Sequence, residues 1–176
     1  MYNFSGLGPV PPVALLFNWL DGHHDRIYDA MTGRVVAEIV GDEPDSHGLS
    51  PAQVLATRKG TLAPYVVLTA SADPAVWAAA WKAWPDWLAF DYYPFYGSIG
   101  QTMLNLILLP WVYRRWRGQA RIVLVQAFRD EANPLHYHLP PRWGVRLQVW
   151  MARRFGFLPV LYEWQSGAAL IASVLR

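Results

Sequence analysis

Five short runs, apolar but for Glu38 in the first, recur along the chain, and a polar side chain stands at or just beyond the end of each. They are Val35–Val40, Tyr65–Thr69, Trp87–Phe90, Ile122–Val125 and Pro159–Tyr162. A strand with one wet face alternates apolar and polar residues. Runs apolar throughout suit strands covered on both faces, as in a parallel sheet. Helical patterns fill the gaps. Ser50-Pro51 is an N-cap followed by proline at the first helical position, and it opens a helix to about Lys59. Asp73-Pro74 repeats the signal and opens a helix through about Trp84. A long apolar helix is expected from Ser98 to about Trp116, with Pro110 as a point of bending. An amphipathic helix follows from Pro141 to Phe155 with Gly156 as its stop, and a last one spans Ser166 to Leu175. Strand–helix alternation at this spacing predicts βαβ units in a single domain, residues 1–176. The N-terminal stretch is open to two readings: Val13–Asn18 is a sixth strand, or it begins a helix towards Met31.

Composition narrows the function classes. The chain has 176 residues, 53% of them hydrophobic and 15% aromatic, enough to bury a core, which excludes global disorder. Ten tryptophans and nine tyrosines serve as core filler or as flat surfaces for the C–H faces of sugars. The net charge is +2, and the arginines gather at Arg114–Arg121 and Arg142–Arg154. These positions fall at helix ends and on polar helix faces rather than on one continuous basic surface, so no nucleic-acid partner is expected. The absence of cysteine excludes disulfides and thiolate metal sites. The first residues lack a basic n-region, so no secretion signal is read and the cytoplasm is the default location. Ile99–Val112 is the most apolar stretch. It is short for a membrane span and holds Gln101, Asn105 and Pro110, so a buried or partner-facing helix and no membrane partner are expected. Membrane association through this helix stands as a third reading of the chain.

The candidate chemistry sits at one end of the apolar runs: Asp42-Glu43, Ser71, Asp91-Tyr92-Tyr93, Gln126 and Glu163. In a parallel barrel, all of these occupy the C-terminal face, where barrel enzymes keep their active sites. His136-x-His138 has the spacing of a metal pair, with no obvious third ligand beyond the candidates His23, His24 and Asp130, and no phosphate loop, dinucleotide fingerprint or nucleophile elbow is found, so no metal or cofactor is expected.

Gly41-Asp42-Glu43-Pro44-Asp45 resembles the turn after strand four in retaining glycoside hydrolases of the (β/α)8 type, which carry Asn-Glu-Pro or Asp-Glu-Pro there. Asp91-Tyr92-Tyr93-Pro94-Phe95 resembles their Asp-x-Tyr-Pro-Phe stretch after strand six. Val125-Gln126-Ala127-Phe128 resembles the stretch after strand seven, and Tyr162-Glu163-Trp164 the aromatic end of strand eight. The resemblance implies a TIM-type barrel reduced to about strands four to eight, with strand three uncertain. Such a barrel is to be completed by the N-terminal segment, by a second copy in a homodimer, or by a missing N-terminal half. It also implies a carbohydrate ligand and Glu43 as general acid/base, since glycoside cleavage needs a protonated carboxyl beside the leaving oxygen, and burial among aromatics favours that form. The family often has a glutamate nucleophile where this chain has Gln126, an amide. Asp91 and then Glu163 are the candidates for the second carboxylate, followed by Asp130 or Glu131. A substrate acetamido group supported by Asp42-Glu43 is an alternative. Gln126 would then orient a substrate hydroxyl, and Tyr92, Tyr93, Tyr96 and Trp164 would form sugar platforms. Against these stand ordinary roles: Asp42 or Glu43 capping a helix or pairing with arginine, and the tyrosines packing the core. The competing function is a non-catalytic carbohydrate-binding or scaffolding protein on a degenerate or truncated barrel.

Overall fold

The computed structural model describes residues 14–16, 26–29, 32, 34–56, 64–69, 74–75 and 86–162. Seven strands form one sheet that closes on itself: β1 (Ala14–Leu16), β2 (Arg26–Asp29), β3 (Val35–Asp42), β4 (Tyr65–Thr69), β5 (Trp87–Asp91), β6 (Ile122–Gln126) and β7 (Leu158–Tyr162). Three helices are described beside them: α1 (Pro51–Ala56), α2 (Ile99–Trp116) and α3 (Arg142–Phe155). Strands β3 to β7 pair in parallel in chain order, with Val66 opposite Trp87, Ala89 opposite Ile122 and Leu124 opposite Val160. Strand β1 pairs in parallel with β7 and antiparallel with β2, and β2 pairs antiparallel with β3.

This topology overturns the expectation of a TIM-type (β/α)8 barrel. That fold is parallel throughout, with a helix after each strand. Here β2 runs against both neighbours, and the sheet is mixed. The step from Asp29 to Val35 is too short for a parallel crossover, which needs a dozen or more residues, so the chain turns back on itself as a hairpin. The Asp29 side chain accepts from the Thr32 N–H, and the Asp29 N–H donates to Arg34 O (2.9 and 2.8 Å). Of the three closures weighed, the N-terminal segment supplies the one seen: β1 and β2 complete the sheet. Of the two N-terminal readings, Ala14–Leu16 is a strand. The expected helices at 73–84 and 166–175 lie largely or wholly outside the described residues.

Side-chain alternation sorts the core into two layers. Ile27, Ala37, Val66, Leu68, Ala89, Ile122, Leu124, Leu158 and Val160 fill the barrel interior. The intervening positions Val67, Leu88, Phe90, Val123, Val125 and Leu161 point outward and meet Leu109, Tyr113 and Trp116 of α2 and Val145, Val149 and Ala152 of α3. Both faces of β4 to β7 are therefore buried, which is why their sequences read as unbroken apolar runs. Phe90 stacks on Trp116 with ring centroids 5.1 Å apart and meets Phe157 edge-on at 5.2 Å.

The helix ends follow their signals. Ser98 caps α2 by accepting from the Gln101 N–H (3.2 Å), and the helix continues through Pro110. Gly156 ends α3 in the left-handed conformation (φ 87°). At Gly144 a Cβ would collide with the Phe95 ring, so glycine lets α3 approach the loop after β5 closely.

Candidate functional site

Strands β3 to β7 share one direction, so their C-terminal ends ring one mouth of the barrel. The turn after β3 carries Glu43 in the left-handed region at φ 46°, where a side chain costs on the order of 1 kcal/mol. A register shift between Ile39 and Gly41 bends β3 just before it. The turn is held by the Glu43 N–H donating to Leu68 O (2.8 Å) and by Ser46, whose N–H and Oγ–H both donate to Glu43 O (3.0 and 2.8 Å). Thr69 at the end of β4 donates its hydroxyl to Asp45 Oδ2 (2.7 Å), tying the turn to the neighbouring strand. Asp91 ends β5 and shares the face of Trp87 and Ala89, which is the interior of the barrel.

At the same ends of β5, β6 and β7 an aromatic cluster forms a wall. Tyr93 and Tyr162 stack with centroids 6.1 Å apart, and Phe128 meets both edge-on at 5.0 and 5.2 Å. Tyr137 joins them, with centroids 5.8 Å from Tyr93, 5.4 Å from Phe128 and 5.9 Å from Tyr96. It comes from the loop after β6, which folds back so that Asp130 and Tyr137 exchange backbone hydrogen bonds (3.0 Å each). The Tyr137 hydroxyl is pushed up to about 12, first by burial and then by Asp91, Tyr96, Glu43 and Asp130. One hydroxyl thus feels carboxylates carried by the ends of β3 and β5 and by the β6 loop. It stays neutral through the ordinary pH range and can both donate and accept a hydrogen bond.

Gln126 closes the floor of this loop. It is fully buried, and its Oε1 accepts from the Phe95 N–H (3.0 Å). Its Nε2 donates to Phe95 O and His138 O (3.1 and 3.0 Å), with Phe128 O at 3.5 Å. The amide expected to orient a substrate hydroxyl is instead engaged with backbone groups. It joins the β5 and β6 loops, and a carboxylate could not make the same set of bonds.

The remaining expected residues separate. Tyr92 turns outward to pack on the helix-facing core, and its hydroxyl donates to Asn105 O (3.3 Å). Burial raises its pKa, with Tyr96 adding to the effect. Tyr96 lines the wall beside Tyr137 and accepts at its hydroxyl from Gln101 Nε2 (3.4 Å). Asp42 ends β3, and its side chain lies outside what is described, as do Ser71, Glu163 and Trp164. Asp130 Oδ1 accepts from the Asn133 N–H (3.1 Å), while Glu131 sits outside against Arg129 (3.8 Å). The two histidines point away from one another's partners: His136 Nδ1 donates to Glu131 O (3.0 Å) and His138 Nε2 to Gly97 O (2.6 Å). Among the described residues no group of three His, Cys, Asp or Glu is set to hold a metal ion.

Sequence reasoning missed Tyr137 and Phe128. Tyr137 stands between the two histidines weighed as metal ligands. The available signal was the Asp130…Asn133-Pro134 turn, which reverses the chain after β6 and brings Tyr137 back to the mouth. No family model matches the chain, and no curated protein or solved structure matches it either.

Proposed function

We propose that the barrel mouth binds a carbohydrate and hydrolyses a glycosidic bond, with Glu43 as general acid/base and Asp91 as the second carboxylate. The observation that carries this reading is the convergence of Glu43 and Asp91 on the field of the Tyr137 hydroxyl, beside the stacked rings of Tyr93 and Tyr162. Sugars present flat C–H faces to such rings and hydroxyls to such carboxylates. Strands β3 and β5 flank β4, so their ends stand roughly 10 Å apart along the sheet. The carboxyl separation the reading requires is about 5–5.5 Å for a retaining and about 6.5–9.5 Å for an inverting enzyme. Glu43 donates its proton to the leaving oxygen as the bond breaks. Asp91 attacks the anomeric carbon or draws a proton from the attacking water. Tyr137 remains neutral and donates a hydrogen bond to a sugar hydroxyl or to Asp91.

A second reading, non-catalytic carbohydrate binding, is favoured by Gln126. It stands where the resembled hydrolases often have their nucleophile, and it is engaged as a loop clamp.

The test is a panel of aryl glycosides and oligosaccharides with the wild-type chain, Glu43→Gln and Asp91→Asn. Hydrolysis that falls about a hundredfold or more in both variants supports the catalytic reading. Sugar binding by calorimetry without turnover, weakened by Tyr93→Ala, selects the binding reading. Absence of both sugar binding and turnover refutes the proposal.

A further inference from the structure

Helix α2 is apolar on two opposite sides. Asn105, Leu109, Tyr113 and Trp116 face the barrel and are buried. At about 100° per residue, Ile99, Met103, Ile107 and Trp111 fall on the far side, one turn apart in series. They are 85%, 54%, 70% and 56% exposed, and Leu104 and Leu108 widen the stripe. A helix on a water-facing surface carries charge there, but residues 98–113 contain none. Helix α3 adjoins α2 and extends the surface. Its Trp143 and Trp150, seven residues apart, point away from its buried face and are 57% and 61% exposed. Arg142, Arg146, Arg153 and Arg154 surround them on the same outer side.

The charge pattern says what this surface fits. No Asp or Glu occurs in residues 92–129 or 132–162, so every acidic or basic side chain on the two helices is an arginine. A second copy packed face to face would bring a carboxylate-free, arginine-bearing surface against itself. An anionic lipid surface meets both features. Apolar side chains enter the boundary between headgroups and acyl chains, tryptophans settle at that depth, and arginine stems run along the apolar layer with their heads on phosphates. Arg115 is already drawn up over the Trp111 ring, its guanidinium 4.8 Å from the ring centroid. Among the described residues no helix is long and apolar enough to cross a membrane, so the contact is one of lying on the surface.

We infer that the outer face of α2 and α3 is a docking surface for an anionic membrane, which takes up the membrane reading of the Ile99–Val112 helix against the expectation of no membrane partner. The experiment is flotation of the full chain, prepared without detergent, with phosphatidylglycerol–phosphatidylcholine vesicles and with phosphatidylcholine vesicles alone. The wild-type chain is expected to float with the anionic vesicles and to release as salt is raised. Arg153→Gln with Arg154→Gln should lower partitioning about thirtyfold, and Ile107→Gln with Trp150→Ser should lower it further. All four positions are exposed, and circular dichroism checks that the fold is kept. The proposal is overturned if the wild-type chain stays unbound at low salt, or binds neutral vesicles equally. It is also overturned if light scattering finds a dimer that Ile107→Gln dissociates while vesicles bind neither form.

Discussion

Replacing Gln126 by leucine isolates the clamp beneath the aromatic wall. The shapes are similar, so the cavity term is small and the polar term dominates. Phe95 O keeps its bond from the His138 N–H (2.9 Å) when the amide is removed. The Phe95 N–H and His138 O lose the partner that Gln126 supplies (3.0 Å each). A buried group left unsatisfied costs about 1–3 kcal/mol. His138 is exposed and its carbonyl is more easily rehydrated, so the sum is about 2–4 kcal/mol. For a chain of this length that lowers the melting temperature by roughly 5–15 °C. Hydrogen exchange adds a local readout, because the Phe95 amide and the loop from Asp130 to Tyr137 should lose protection. Gln126→Glu sharpens the test. Its carboxylate would accept from the Phe95 N–H but face the carbonyl oxygens of Phe95 and His138, which favours the protonated form and raises the pKa in the folded state. The deficit relative to wild type should then be small below the ordinary carboxyl range and grow as pH rises through the folded-state value. A Gln126→Leu protein within about 1 kcal/mol of wild type, or a Gln126→Glu deficit that ignores pH, would refute the clamp.

Other substitutions test neighbouring parts of the structure. Tyr137 should ionise near 12, seen as the missing component when Tyr137→Phe is compared with wild type by ultraviolet titration. Asp91→Asn should bring that value down more than Glu43→Gln does, since Asp91 acts on the hydroxyl more strongly. Because the unfolded chain ionises tyrosine near 10, this group's contribution to stability is intact below about pH 10 and declines as pH rises towards 12. Tyr113 is fully buried, and its hydroxyl has no hydrogen-bond partner among the described residues. Tyr113→Phe should therefore raise stability by about 1 kcal/mol in urea denaturation, and a loss of that size would mean the hydroxyl is satisfied. At Glu43, glycine accepts φ 46° freely and a β-branched residue does not, so Glu43→Ile should be less stable than Glu43→Gly by about 2 kcal/mol. Equal melting temperatures for the two would show that the turn relaxes.

The strands that bury both faces were legible in the sequence, because Val66–Leu68 or Ile122–Val125 leave no polar position for water. Strand β2 was not. Arg26-Ile27-Tyr28-Asp29 buries only Ile27, and four residues are too few to separate a period of two from a helical one. Its direction, which decides between a parallel repeat barrel and this mixed one, is set by pairing with β1 and β3 and leaves no local trace. At the site, Glu43 and Asp91 were visible as polar residues that end apolar runs. The role of Gln126 was hidden because its amide binds Phe95, 31 residues away. Tyr137 was hidden because its loop has no periodicity. The same loop logic accounts for Tyr92 and Tyr93, adjacent in sequence yet packed on opposite sides of the sheet.

The pairing of β1 with β7 also governs how the molecule can be made. Among the described residues, every other strand contact joins neighbours in chain order and can form as synthesis proceeds, but the seam between Ala14 and Val160 joins distant parts of the chain. Until β7 has left the ribosome, the sheet is an open ribbon with bare backbone edges on β1 and β6, each able to template another chain. Closure of this seam carries the largest loop entropy of the strand contacts, so a delay in docking β7 leaves those edges open longest. Strand β7 is short and contains Pro159, which has no N–H to offer a stray partner.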